Sequence, residues 1–515
     1  MTVNEYVVME FFLEQMSQNK ITFLADRPRQ KEIIREKILH LTKCDNLHDK
    51  ILAAKSLWRV LFESAMSFID ENKRGYDDLF SYFDAFVNFE ELIFASDSFY
   101  RDHTLHSLWV YFLGEYLFRA QEFQPLWTNF NYPFRVLLKA KKILEHLDCP
   151  EVFETYSKTL DAIIPFINFE DSIRCIAALT HDLGYPLKKV EKINKSIRTV
   201  LPYFAVFDVE EFNFKFDTTQ QFYISKFLEL LGYELMITPK SPKIYDDELL
   251  QPLKPFINKL NELLTTSLKQ EIAEEAIQFM KSELANLSPR HKRLLNQIYR
   301  LNGRFETIIT RLLRFSDDFE KFKHGIMSSF LLVKLLSTFA NIDIRYSDPA
   351  DIPIMTMNLP SIFAKLEILK AVANHTSSYR IQNFNDFSSL LILIDEIEEF
   401  SRISRANQFR QYVNEFCSSS IFFSDNCLTI NFIFDNPNIP DLNPELAFKG
   451  KANRFLDLFD ISEFQEDLSV KFIVTDKMNT PGRNYELIIE KNNFEILIDN
   501  EKKEPSAYLK TYEIV

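Results

Sequence analysis

The chain has 515 residues, 46% hydrophobic and 26% charged, which is the balance of a globular protein of two to four domains at roughly 150 residues each. Its 8 glycines, with no Gly-x-Gly-x-x-Gly and no Walker-type loop, exclude a Rossmann or P-loop nucleotide cradle. Its net charge of -14 excludes a protein that coats nucleic acid other than through a local patch.

The cysteines Cys44, Cys149, Cys175, Cys417 and Cys427 form no Cys-x-x-Cys pair. They read as buried thiols of a reducing compartment and not as a zinc ribbon or disulfide frame. Glu5, Glu10 and Glu14 stand where a signal peptide carries its basic start and apolar run. The richest apolar run, Ser329 to Phe339, is broken by Lys334, well short of the roughly 18 residues of a membrane span. The expectation is a cytoplasmic protein with no membrane partner.

Residues 1 to about 98 read as a helical N-terminal region, with Leu52, Leu57, Val60, Leu61 and Phe68 near a helical period. Helices continue from 99 to about 186. The segment from about 187 to 320 is polar and reads as an insertion. It contains an aromatic–acidic stretch, Phe204 to Phe216, a linker from Pro239 to Pro255 and a helix start at Ser288-Pro289. The helical period returns from 321 to 415. After 416, the runs Cys427 to Phe434, Leu468 to Thr475, Asn484 to Glu490 and Phe494 to Asp499 are β-like. With a helix over Pro444 to Phe459 they predict a β-α-β-β-β domain.

The chemistry concentrates in the histidines, of which there are 9. In Arg101 to Gly114, RDHTLHSLWVYFLG, His103, His106, Val110 and Leu113 share one apolar helical face. In Ser172 to Pro186, SIRCIAALTHDLGYP, the buried side of a helix ends in His181-Asp182. Gly184 suits a left-handed cap there and Pro186 a stop. A carboxylate at such a place is costly unless paired or bound to metal. Leu390 to Arg402, LLILIDEIEEFSR, sets Asp395 on a late apolar helix. His324 opens one helix, in KHGIMSSFLLVKLL, and His375 closes another, in LKAVANHTSS.

THDLGYP resembles the paired His-Asp motif of the HD-domain metal-dependent phosphohydrolase superfamily, and HSLWVYFLG resembles its upstream histidine helix. The resemblance covers about residues 99–187 and 321–405. It implies an HD-type helical bundle over 99–415 and does not explain the insertion at about 187–320, the helical N-terminal region over 1–98 or the small C-terminal α/β domain over 416–515, which complete a mainly α fold. It implies His106, His181, Asp182 and Asp395 as ligands of one ion. His324 and His375 would hold a second, with Asp182 between the two. The order His, His-Asp, His, His, Asp is similar to that of the two-metal members. These include cyclic nucleotide phosphodiesterases, the HD-GYP group and di-iron oxygenases. The Gly-Tyr-Pro directly following the His-Asp pair does not assign the HD-GYP subgroup.

The activity implied by the resemblance is hydrolysis of a phosphoester, of nucleotide type, with one or two divalent ions per chain (Mn, Fe, Mg or Zn). Asp182 and His103 are its catalytic candidates, and Lys188 and Lys189 its phosphate-binding ones. The same lysines also read as a solvated basic turn, and His103 as an outer orienting group or plain core. Glu399 or Arg402, on the helical face of Asp395, orients a ligand or forms an ordinary ion pair. Arg293, Arg300, Arg304 and Arg311 form a stripe only if a helix runs through Asn302-Gly303. The stripe reads as a solvated face or a track for a polyanion. A di-iron oxygenase and a non-catalytic metal- or nucleotide-binding regulator stay open, as do nucleic acid and self-association.

Overall fold

Asn4 caps the first helix, its side-chain oxygen accepting a 3.0 Å hydrogen bond from the amide of Val7. The computed structural model describes residues 2–94, 99–206, 215–239, 247–265, 273–298, 301–342, 358–400, 402–404, 417–436 and 442–509. Much of the Phe204 to Phe216 stretch, residues 240–246 of the expected linker, and Arg300 lie outside them.

The N-terminal half runs β1 (Thr2–Val3), α1 (Glu5–Ser17), α2 (Pro28–Leu41), α3 (Leu47–Ile69), α4 (Tyr76–Phe94), β2 (Phe99–Arg101), α5 (His103–Arg119), α6 (Tyr132–Leu147), α7 (Pro150–Ile163), α8 (Glu170–Thr180) and α9 (Tyr185–Val200). Next come α10 (Gln221–Gly232), β3 (Tyr233–Pro239), α11 (Asp247–Leu250), α12 (Lys254–Thr265), α13 (Glu274–Asn286), α14 (Pro289–Ile298), β4 (Leu301–Thr307) and α15 (Ile309–Glu320). Then come α16 (His324–Leu335), α17 (Ser337–Ala340), α18 (Leu359–Asn374), α19 (Phe387–Ile397) and β5 (Arg402–Ser404). The chain ends in β6 (Ser418–Ser424), β7 (Cys427–Phe434), α20 (Pro444–Leu458), β8 (Ser469–Asp476), β9 (Arg483–Glu490), β10 (Asn493–Ile498), β11 (Glu501–Lys503) and α21 (Pro505–Tyr508).

The protein is mainly helical, and α8 is its axis. Every residue of α8 is buried, and it packs against α3, α5, α18 and α19. Ala177 and Ala178 keep its flanks small, so neighbours approach closely. The indole of Trp58, on α3, donates a 2.7 Å hydrogen bond to the carbonyl of Leu179. The face of α3 that does this is set by Ala54, Leu57, Trp58, Leu61 and Phe62, whereas Leu52 points to solvent, contrary to the sequence period.

The charges on α8 are neutralised locally. Asp171 pairs with Arg174 and Arg119, each at 2.6 Å, and Arg174 reaches Glu115 at 2.7 Å. One core runs from Val8 on α1 to Ile496 on β10. A second, smaller core joins α6 and α7 to α12, α13 and α14 through Ile143, Phe153, Phe256, Met280 and Leu295.

The C-terminal sheet has the order β1-β6-β7-β8-β9-β10-β11. Only β7 and β8 pair in parallel, and α20 is their crossover. Phe448 and Phe455 of α20 stack on Phe472 of β8 at 5.9 and 4.8 Å. The predicted β-α-β-β-β order is present as β7-α20-β8-β9-β10. Three further strands, β6, β11 and β1, add to it. Asp425 and Asn426, both at positive φ, make the β6–β7 hairpin turn.

A two-stranded ribbon, β3 with β4, crosses the polar segment. It corrects the arginine stripe, since α14 ends at Ile298 and Arg304 lies on β4 opposite Met236. Among the described residues no helix is long and apolar enough to cross a membrane.

Candidate metal centre

The centre is assembled from helix ends. Asp102 caps α5 by accepting from the amides of Thr104 and Leu105 at 3.0 and 2.9 Å, and burial pushes its pKa up to about 6. One turn into α5, His106 points Nε2 at Asp395 Oδ1, 2.9 Å away on α19. Its Nδ1 meets Glu398 Oε2 at 2.5 Å. At the end of α8, His181 donates Nδ1–H to the carbonyl of Ala178 at 2.7 Å. Its Nε2 stands 3.3 Å from His106 Nε2 and 3.2 Å from Asp182 Oδ2.

His324, the first residue of α16, brings Nε2 to 3.2 Å from Asp182 Oδ1. His375, just past α18, brings Nε2 to 3.4 Å from the same oxygen, while its Nδ1 donates to Val372 O at 2.6 Å. The donor atoms of His106, His181 and Asp395 lie within 4.8 Å of one another, as do those of His181, Asp182 and His375. His181 therefore faces both groups, where the sequence pattern set it in one.

These groups could hold a metal ion. The Nδ1 protons of His181 and His375 are committed to backbone carbonyls, so their Nε2 atoms aim inwards. His375 Nε2 is buried and makes no hydrogen bond among the described residues. Burial works against ionising Asp182 and Asp395, yet the imidazoles around them hold both carboxyls well below the usual range. Burial likewise opposes charge on His181, but Asp182 and Asp395 outweigh it and push its pKa up to about 10. His324 goes the other way, down to about 4, because burial dominates. Two ionised, buried carboxylates that draw a proton onto an imidazole form a site a metal ion satisfies better.

Two glycines permit the assembly. Gly184 sits at φ -81°, not in the left-handed cap its position suggested, and the chain turns directly into α9 with Pro186 in its first turn. Glycine is needed there for close approach, since a Cβ would lie 2.3 Å from the carbonyl oxygen of His324 and 2.6 Å from Met327 Cβ. Its amide donates to Ser328 Oγ at 2.7 Å, and that hydroxyl bonds the carbonyls of His181 and His324. Gly325 lets the His375 ring pass, because a Cβ would sit 2.6 Å from its Nδ1.

His103 is buried beside the cluster. Its Nδ1 meets Glu90 Oε2 at 2.5 Å and its Nε2 is 3.9 Å from Asp182 Oδ2. Burial opposes its charge, but Glu90 and then Asp182 prevail, so its pKa is raised. The Tyr185 ring packs on His103 at 4.1 Å and edge-on to His324 at 5.1 Å. Lys189 lies with Nζ 4.5 Å from the centre of the Tyr185 ring and is buried, whereas Lys188 is exposed.

Glu399 forms the ordinary ion pair of the two roles open to it. It pairs with Lys451 of α20 at 2.8 Å. Arg402 lies in β5 opposite Arg101. The orienting carboxylates are Glu398 and Glu90, which sequence reasoning missed. The signal for Glu398 was its place three residues after Asp395. Glu90 had none, because it comes from α4, outside the motif. Comparisons of the chain with protein-family models, with curated proteins and with solved structures find no match.

Proposed function

We propose that the chain is an HD-type, metal-dependent phosphohydrolase acting on a phosphoester of nucleotide kind. The observation that carries the reading is the position of Asp182, whose Oδ2 faces His181 while its Oδ1 faces His324 and His375. A carboxylate placed in this way between two imidazole sets is suited to bridging. His106, His181, Asp182 and Asp395 would hold one ion, and Asp182, His324 and His375 a second. Bound there, a metal pair supplies hydroxide at neutral pH and stabilises both attacking and leaving oxygens.

The chain's own residues would do the rest. His103, whose pKa is raised by Glu90 against burial, would offer an Nε2 proton to the leaving oxygen. Tyr185 walls the site between His103 and His324, and Lys189, set against that ring, and Lys188 meet the phosphate charge. Glu398 fixes the His106 ring, so its Nε2 stays directed at Asp395.

The test is metal content, by elemental analysis, of wild type and Asp182→Ala purified in parallel, followed by hydrolysis assays on a phosphodiester and nucleotide panel. The expected result is near two equivalents in wild type, largely lost in the variant, with turnover that tracks the metal. Metal-loaded protein that turns over no phosphoester but consumes oxygen when its iron is reduced would overturn the reading.

A further inference from the structure

A second cleft, separate from the histidine cluster, opens along one face of α18. Its volume is 540 Å³, inside the range of roughly 300–1,000 Å³ typical of small-molecule sites. Phe363, Glu367, Lys370 and Asn374 line it at helical spacing, and Phe134 and Phe166 close its floor. These three phenylalanine rings lie 4.3 to 6.1 Å apart, which makes a continuous apolar surface. From α15, Arg311 and Arg314 enter the opposite wall.

The two arginines are incompletely satisfied. Arg311 pairs with Glu234 at 2.6 Å through Nη2, but its Nη1 is buried and makes no hydrogen bond among the described residues. Arg314 gives Nη2 to the amide oxygen of Asn374 at 2.8 Å. Its Nε is buried and makes no hydrogen bond among the described residues, and the carboxylate of Asp318, one turn on, acts on it through space while pairing with Lys323 at 2.6 Å. The rings of Phe315 and Tyr379 hold the Arg314 guanidinium in place, at 4.9 and 5.7 Å. A guanidinium stays charged when buried, so unmet donors are costly unless an anion meets them. The two arginines are close enough that Arg311, after burial, lowers the pKa of Arg314. An oxyanion between them would answer both.

We infer that this cleft binds a nucleoside monophosphate as a site distinct from the metal centre, with the phosphate on Arg311 and Arg314 and the base against Phe134 and Phe363. Two planar guanidinium forks with unused N–H groups match the several terminal oxygens of a phosphate better than one carboxylate. Phe134, which is partly exposed, supplies the apolar surface a base needs, and the buried Phe363 and Phe166 back it. Of the remaining charged groups of the cleft, Lys370 pairs with Glu367 at 3.2 Å and Asp386 accepts from the neutral Tyr379 hydroxyl at 2.7 Å, so the anion is held by the local donors of the two arginines and not by an excess of positive charge.

The cleft borders the cluster without sharing its ligands. Asn374, which Arg314 holds, precedes His375 and donates to Ser388 on α19 at 2.9 Å, the helix that carries Asp395. The site itself does not rest on the catalytic reading.

The experiment is isothermal titration of the full chain, kept metal-free with chelator, with AMP, GMP, CMP, UMP and inorganic phosphate. At least one nucleotide should bind once per chain, at least tenfold tighter than phosphate. Arg314→Gln should weaken it tenfold or more, and His324→Gln, in the cluster, should leave it unchanged. Arg311→Gln serves as the second variant if Arg314→Gln loses its cooperative melt. Absence of binding by all four nucleotides, or binding unchanged in both arginine variants, overturns the site. Loss of binding in His324→Gln would move the ligand to the metal centre. Phosphate binding as tightly as every nucleotide would overturn the nucleoside assignment.

Discussion

Glu398 accepts a 2.5 Å hydrogen bond from Nδ1 of His106, and both side chains are sealed from solvent. A buried carboxylate behind an imidazole fixes which ring nitrogen carries the proton and raises the basicity of the other. Glu398→Gln keeps the shape but removes the charge. It is expected to weaken metal binding by roughly 10–100-fold while leaving the fold intact. Competition against a fluorescent chelator measures this. Wild-type affinity in the variant would show that Glu398 only fills space.

Metal binding should expel protons. The His181 pKa stands at about 10 in the metal-free chain, so below that pH the ring carries a proton that a ligand cannot keep. Apparent affinity should therefore climb with pH through the neutral range, by about tenfold per unit for each proton displaced. Calorimetry at pH 7.5 in buffers of different ionisation enthalpy should return about one proton released per ion at the His181 group. A heat independent of buffer would contradict this.

Gly184→Ala should be costly although it adds one methyl group. The new Cβ meets the backbone of α16 at His324 and Ser328, which cannot move aside as a side-chain tip can. The expected loss is about 1–3 kcal/mol by overpacking. Separation of His324 from Asp182 should also lower metal stoichiometry. Denaturant melts and elemental analysis of the same preparation read both. A variant as stable as wild type, with full metal content, would refute the account of this glycine.

Acid should unfold the chain partly through Asp171. Burial disfavours its charge, but Arg174 and then Arg119 outweigh burial and hold the carboxyl below its ordinary value. A depressed carboxylate stabilises the fold above its unfolded pKa, and that contribution is lost as pH falls through the folded value. Asp171→Asn removes one of the carboxylates that hold Arg174, leaving its 2.7 Å pair with Glu115, and should cost about 3–5 kcal/mol at pH 7, as for a broken buried pair. Urea melts should show the gap between variant and wild type narrowing below pH 4. A gap that persists unchanged to pH 2 would remove Asp171 from the explanation.

The residues His106, His181, Asp182, His324, His375 and Asp395 were legible because each sits at a helix end or on an apolar helical face, where a polar residue stands out. The β-runs from Cys427 onwards were legible through alternation. What escaped depends on distant partners. Glu90 and Glu398 look like ordinary helix acids until the fold sets imidazoles against them. β6 begins with three serines, so only its neighbours in space reveal it as a strand. Gly184 carried a cap-like sequence, but its neighbour is α16, more than a hundred residues away. Local pattern reports propensity and burial, and close approach between remote segments leaves no periodic trace.

The pairing of Val3 with Ser419 closes a loop of more than four hundred residues. Closing such a loop costs chain entropy that grows as about (3/2)RT ln n. During synthesis every candidate metal ligand leaves the ribosome before the strand that receives β1 exists. A segment made early is thus among the last that can be seated, and β1 stays unmoored until β6 has been made.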